Sequence, residues 1–296
     1  MPELPEVETV VRQLRREIVG RAFAGLRVLW PRTVEGGAPE LRRLIRGQAV
    51  RRVSRRGKYI GVECGSGAFF TIHLRMTGKL LRRLGADDRR HLRAAFSFAD
   101  GSRLYFVDAR KFGRIRLWPC RAAACPGLGP EPLRPQAVAA VLRRLKTKRP
   151  LKGVLLDQAV LAGIGNIYAD EALFAARLHP LRPASGLSGK EILRLSRCLP
   201  RILCAAIRRN GTTLRNYRTL ADEEGRNQAK LFVYGRANEP CLVCGAAIEK
   251  MRIGGRSTHF CPHCQKSCSV TRDKRRGKGK GKRNKARGKN TARPSA

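Results

Sequence analysis

Apolar residues at Val7, Val10, Val11, Leu14 and Ile18 recur at spacings of three and four, which lines one face of a helix. Pro5 suits the first turn of that helix, where a missing N–H leaves no bond unmade. From about Phe23 to Pro119 the period shortens to two. β-Branched and aromatic residues alternate with arginine, most clearly in "GKYIGVEC", "AFFTIHLRM" and "AAFSFADGSRLYFVD". Ala99-Asp100-Gly101 predicts a hairpin turn between the last two strands. Each strand must bury one face, so a two-layer β structure is expected. "PCRAAACPGLGPEPLRP" is rich in Pro and Gly and reads as a linker. From Pro135 to about Arg209 the helical period returns in "QAVAAVLRRLK", "NIYADEALFAARL" and "GKEILRLSRCLPRILCAAIRR". The chain changes from β to α once. It is expected to be an α+β multidomain protein: an N-terminal helix plus two-layer β-sandwich over 1–134, a helical domain over 135–235, a cysteine-bearing region over 236–271, and a disordered basic tail over 272–296.

Charge narrows the class. The 63 Lys and Arg against 22 Asp and Glu give a net +41. The segment from Arg272 to Ala296 holds twelve Lys or Arg and one Asp, a net +11, so the first 271 residues still carry +30. A body that basic points to a polyanion, and nucleic acid is the first candidate. No run reaches the roughly 18 apolar residues of a spanning helix, and the N-terminus is acidic where a signal peptide is basic. A cytoplasmic, nucleoid-associated monomer without membrane contact is expected.

Four of the ten cysteines form "CLVC" at Cys241 and Cys244 and, sixteen residues on, "CPHC" at Cys261 and Cys264. Two such knuckles match a structural zinc ribbon with one Zn2+ closed by four thiolates; a disulfide pair is the other reading and suits an oxidising compartment. With four thiolates available, His259 and His263 are expected on the surface. Cys64, Cys120, Cys125, Cys198 and Cys204 sit among apolar residues and are expected in the core, reduced; Cys268 has no assignment. Gly254-Gly255 reads as a tight turn followed by an exposed Arg256.

Pro5 is explained by helix initiation, but Pro2 is not. Removal of Met1 would leave Pro2 with a free secondary amine, and a secondary amine is a nucleophile. An α-amino group, with a reference pKa of about 7.7 to 8.0, is partly neutral at cellular pH where a lysine is not.

"PELPEVETV", "HLRMTGKL", "DARKFGR", "LAGIGNIYADEALF" and "GGRSTHFCPHCQ", in this order, closely resemble the formamidopyrimidine-DNA glycosylase family over Pro2 to about Gln265. The resemblance implies a β-sandwich, a helix-two-turn-helix domain and a zinc finger, with double-stranded DNA containing oxidised purines or abasic sites as the partner. It implies a base-excision repair enzyme that removes 8-oxoguanine and formamidopyrimidines through a Pro2 Schiff base and cuts the strand by β,δ-elimination. Glu3 matches the family's general acid, Lys58 its proton-transfer lysine, and Arg256 the finger arginine that grips a phosphate and serves as the acid for δ-elimination. Met76, Arg110 and Phe112 match residues that fill the hole left by a flipped base. His91, Lys148, Lys152 and Asn166 match DNA-contact positions, Asn166 opening a helix whose N–H groups favour an anion. The chain departs from the pattern at Asn227, where an aromatic is usual, at Asn216, and in the tail. Two other readings remain. An endonuclease VIII-like relative acting on oxidised pyrimidines shares the proline chemistry, but Leu4 and the Met76, Arg110, Phe112 set speak against it. A non-catalytic zinc-ribbon binder explains charge and cysteines but leaves Pro2, Glu3 and Lys58 without a role.

Overall fold

The computed structural model describes residues 1–266; the basic tail and Cys268 lie outside the described residues. The chain runs α1 (Leu4–Ile18), β1 (Phe23–Val28), β2 (Val34–Glu35), α2 (Ala38–Ile45), β3 (Val50–Arg56), β4 (Tyr59–Cys64), β5 (Phe69–His73), β6 (Gly78–Leu81), α3 (Ala86–Arg89), β7 (Leu92–Phe98), β8 (Arg103–Asp108) and β9 (Arg114–Trp118). Then come α4 (Pro135–Arg143), α5 (Leu151–Leu155), α6 (Asn166–Ala175), α7 (Gly189–Arg208), β10 (Glu249–Ile253) and β11 (Arg256–Phe260).

Two sheets form the sandwich, one ordered β1-β7-β8-β6 and one ordered β2-β9-β5-β4-β3. Alternation puts Phe23, Phe96 and Phe70 on facing inner surfaces, where Phe70 stacks on Phe96 at 5.7 Å between centroids and Phe23 lies 5.8 Å from Phe96. The apolar stripe of α1 (Val7, Val10, Val11, Leu14, Ile18) packs into the same core. A second core joins α4, α6 and α7, and a small third one sits around Phe174, Val233, Ile248 and Cys261. Tyr217 and Leu220, grouped with the helices by sequence, pack into the sandwich core instead. The 212–227 segment thus belongs structurally to both halves.

The N-terminus lies between the halves. Leu4 N–H donates to the carbonyl of Gly163 at 3.0 Å, and a side chain at Gly163 would strike Leu4. With φ of +96°, Gly163 also needs the left-handed region that glycine occupies freely.

Candidate active site

Glu3 precedes α1, and its carboxylate reaches the open end of α6. Oε1 accepts from Ile167 N–H at 3.0 Å and Oε2 from Tyr168 N–H at 3.4 Å. Gly165 caps α6 without a side-chain bond of its own, so a residue 164 positions away satisfies two orphan N–H groups. The approach needs Gly165 bare: a Cβ there would stand 2.2 Å from the Glu3 carboxyl carbon. An anion does occupy this helix end, as the "AGIGN" turn suggests, but it is the chain's own Glu3.

Burial pushes the Glu3 carboxyl up to about 7; the nearby Glu6 charge adds to this and Lys58 opposes it. Glu6 is buried too and raised by burial, against its hydrogen bonds. Its Oε2 accepts from Glu3 N–H at 2.8 Å, and its Oε1 from Tyr168 Oη at 2.5 Å and Thr212 N–H at 2.8 Å. Tyr168 Oη also bonds Thr212 Oγ1 at 2.8 Å, which accepts from Asn227 Nδ2 at 2.9 Å; Arg209 reaches Asn227 Oδ1 at 3.3 Å. Asn227 therefore closes a buried polar chain that an aromatic side chain could not.

Lys58 is buried, and its Nζ donates to Ile164 O at 2.8 Å. Burial lowers its pKa, Glu3 and Glu6 resist, and the positive charge of Arg256 lowers it further. The turn that carries it is braced: Glu131 accepts from Gly57 N–H at 2.7 Å and pairs with Arg55 at 2.7 Å. Pro2 is buried at the same place, with Met1 exposed beyond it. Glu3 and Arg256 are thus both within electrostatic reach of Lys58.

Arg256 is exposed at the start of β11 after the Gly254-Gly255 turn, as expected. Lys152 is different. Expected at a phosphate, it is fully buried, with Nζ 2.6 Å from Asp170 Oδ1 and donating to Ser257 O at 2.9 Å. An ammonium in apolar surroundings needs an anion close by, and Asp170 supplies it. Asn166 Nδ2 donates to the same Ser257 carbonyl at 2.8 Å. Asp170 Oδ2 accepts from His259 N–H at 2.9 Å, so His259 is buried against α6 and not on the surface; His263 is exposed. Glu171, which the sequence reading passed over, accepts from Phe232, Val233 and Tyr234 N–H, each at 2.9 Å. Asp170 and Glu171 stand in the apolar run "NIYADEALFA", and two acids there are the signal that such partners exist.

Met76 and Phe112 lie on loops, 42% and 47% exposed, and Arg110 is exposed with its guanidinium 4.7 Å over the Phe112 ring. Buried Asp108 ties the two loops together, accepting from Thr77 Oγ1, from Gly113 N–H at 2.7 Å and from Arg110 N–H at 3.2 Å. Arg75 (φ 54°) and Lys111 (φ 60°) hold left-handed backbone in these loops. His91 is half-buried at the start of β7, its carbonyl accepting from Asp108 N–H at 2.9 Å, and Lys148 is exposed between α4 and α5. His73, also passed over, is held neutral by burial and by Arg75 and Lys58, its pKa near 3. Its Nδ1 accepts from Arg75 N–H at 3.0 Å.

The Sγ atoms of Cys241, Cys244, Cys261 and Cys264 all lie within 4.8 Å of one another. Tetrahedral thiolate ligation with bonds of about 2.3 Å puts sulfurs about 3.8 Å apart, so the donor set fits a metal ion. Of the other described cysteines only Cys64 is buried; Cys120 is exposed, and Cys125, Cys198 and Cys204 are half-buried, so the core reading holds for Cys64 alone.

Three family models match: Formamidopyrimidine-DNA glycosylase N-terminal domain over residues 1–115, Formamidopyrimidine-DNA glycosylase H2TH domain over 128–218, and Zinc finger found in FPG and IleRS over 238–266. Similar curated proteins include the formamidopyrimidine-DNA glycosylases of Herpetosiphon aurantiacus, 46% identical over 90% of this chain and 100% of the relative, and Geobacillus kaustophilus, 44% identical over the same shares. Among solved structures, a Lactococcus lactis Fpg bound to DNA containing an abasic site is 37% identical with a TM-score of 0.82, covering 90% of this chain and 100% of that one. A MutM bound to DNA containing carbocyclic 8-oxo-G is 36% identical with a TM-score of 0.81, at the same coverage.

Proposed function

This chain belongs to the formamidopyrimidine-DNA glycosylase family, and from that membership we propose how its own residues carry the family's two activities. The protein is a bifunctional DNA glycosylase and AP lyase acting on oxidised purines, with lesion-bearing or abasic duplex DNA as its partner. The Pro2 nitrogen, freed by removal of Met1, attacks C1′ of the damaged nucleotide. The bonding pair of the glycosidic bond leaves with the base, and an iminium joins Pro2 to the opened sugar.

The setting of Glu3 carries this reading. A carboxyl raised to about 7 beside the amine exchanges its proton near neutral pH, so it can give a proton to the opening sugar and take one back. The backbone N–H groups of Ile167 and Tyr168 hold it in place while it does so. Lys58, its pKa lowered by burial, accepts the sugar proton in β-elimination. Arg256 grips the phosphate for δ-elimination, leaving a gap with phosphate on both ends. Met76 and Phe112 fill the stack vacated by the flipped base, and Arg110 pairs with the orphaned cytosine. His91, Lys148 and Asn166 contribute phosphate contacts. The four cysteines hold one Zn2+, a structural ion that stiffens the hairpin bearing Arg256.

Borohydride in a mixture of the protein and a duplex with 8-oxoguanine opposite cytosine tests the reading. Mass spectrometry should map the reduced adduct to Pro2 of a chain lacking Met1. Adduct formation only with a thymine glycol duplex would move the protein to the pyrimidine branch, and none on any duplex would leave a DNA-binding zinc protein.

A further inference from the structure

The four-stranded sheet turns one face away from the core. Phe96, Leu104 and Phe106 point inward, so Ala95, Ser97, Arg103 and Tyr105 on the central strands β7 and β8 point outward. Register sets Arg27 of β1 beside Ala95 and Ala95 beside Tyr105, with Ser97 beside Arg103. The small side chains of Ala95 and Ser97 leave a trough between taller neighbours, a cavity of about 680 Å³. Its rim carries Arg27, Arg82, Arg83, Arg89 and Arg103 and no carboxylate.

Four of these five guanidinium groups are uncompensated. Arg82 pairs with Glu17 at 2.9 Å, whereas Arg27, Arg83, Arg89 and Arg103 are exposed and make no ion pair or side-chain hydrogen bond with any described residue. Other arginines of the sandwich find acids, Arg21 with Asp100, Arg43 with Glu40, Arg55 with Glu8 and Arg114 with Glu35, and unpaired ones such as Arg46, Arg51 and Arg52 do not line this cavity. Like charges gathered around one concavity repel until a polyanion neutralises them. The trough begins at Leu92, next to His91 and the strand end that leads to Arg110 and Phe112, and extends to Ser97, about 17 Å along the strand. That length spans several successive phosphates.

We propose that this outer groove is a second DNA site, holding the sugar–phosphate backbone of a DNA segment other than the one engaged at Pro2. The inference rests on the DNA-repair reading above and adds to it a means of passing between segments during the search for lesions. The contacts are to phosphate, so binding is independent of sequence and steep in salt. Tyr105 offers a ring against which a sugar or base can lie.

The full-length protein is first locked onto a short 8-oxoguanine duplex with borohydride, which fills the lesion cleft covalently. Anisotropy then follows a second, undamaged duplex across a salt series. The wild-type adduct should bind it. The Arg27→Gln, Arg83→Gln, Arg103→Gln triple variant should bind it at least about tenfold more weakly at low salt, with a log–log salt slope shallower by about 2 to 3. The corresponding Lys triple variant should keep most of the binding, and all three proteins should form the first adduct equally. No second binding by the wild-type adduct, or equal binding by the Gln variant, overturns the proposal. Capture of a polyglutamate chain by the same arginines without capture of the duplex assigns the groove to an acidic protein and also overturns it. Failure to form any adduct counts against Pro2 chemistry alone; the groove is then judged on unmodified protein, where the Gln variant must still lose 2 to 3 from the slope.

Discussion

Two buried carboxylates meet helix α6 within about one turn of each other and are treated in opposite ways. Asp170 faces an ammonium directly, Lys152 Nζ at 2.6 Å, and both side chains are sealed from solvent. Glu3 has no cation in contact; it is held by two backbone N–H groups, while Lys58 donates to a carbonyl instead. Direct pairing fixes Asp170 as part of a clamp, with Ser257 and His259 as the things clamped. Backbone N–H groups, with Lys58 acting only at a distance, leave the buried Glu3 carboxyl raised to about 7 and able to exchange a proton near neutral pH. The same helix thus engages one acid that holds and one that the proposed mechanism uses as a proton carrier, and the two differ in whether an ammonium is in direct contact.

That contrast can be broken from both sides. Glu3→Gln keeps the shape and one of the two acceptor oxygens but cannot exchange the proton; single-turnover excision should fall by about 10²- to 10⁴-fold. The same variant should change the pH dependence of stability. The folded chain retains the Glu3 proton up to about 7 whereas the unfolded chain releases it near the ordinary 4.5, so wild-type stability falls as pH rises between those values. Urea titrations should show a loss of about 3 kcal/mol across that window in the wild type that is missing from Glu3→Gln. At the clamp, Lys152→Met strands Asp170 and should cost about 3 to 5 kcal/mol of stability, with the Lys152→Met, Asp170→Asn double variant, which keeps an acceptor for His259 N–H, recovering much of it. Recovery of nothing would show that Lys152 is worth more for its bond to Ser257 than for its charge.

Smaller effects sharpen the picture. Gly165→Ala forces a methyl against the Glu3 carboxyl and should lower excision about a hundredfold with little change in DNA affinity. Asn227→Ala leaves Thr212 and Arg209 without their shared partner and should cost about 1 to 3 kcal/mol, read by thermal unfolding.

How much of this was legible in the sequence depends on how far apart the partners lie. The period-two run gave the sandwich and the Ala99-Asp100-Gly101 hairpin, because strand neighbours in β7 and β8 are sequence neighbours. The apolar stripe of α1 and the paired Cys-x-x-Cys knuckles were equally local. Lys152 is expected at a phosphate because it matches a family DNA-contact position; its burial depends on Asp170, supplied by a different helix. The turn before α6 signalled an anion correctly, but its identity as Glu3 is a contact across 164 residues that no periodicity encodes. Tyr217 and Leu220 show the same limit, since a segment that follows the helices in sequence packs on the sheets in space.

Helix α6 has a further consequence for the order of events. Its first N–H groups orient Glu3, its side chains Asn166 and Asp170 fasten the hairpin of Arg256, and Glu171 fastens the 232–234 turn. The two groups to which the proposed mechanism gives base release and strand cleavage are therefore both anchored to one rigid rod. A displacement of that rod is therefore expected to retard both cuts together rather than to uncouple them.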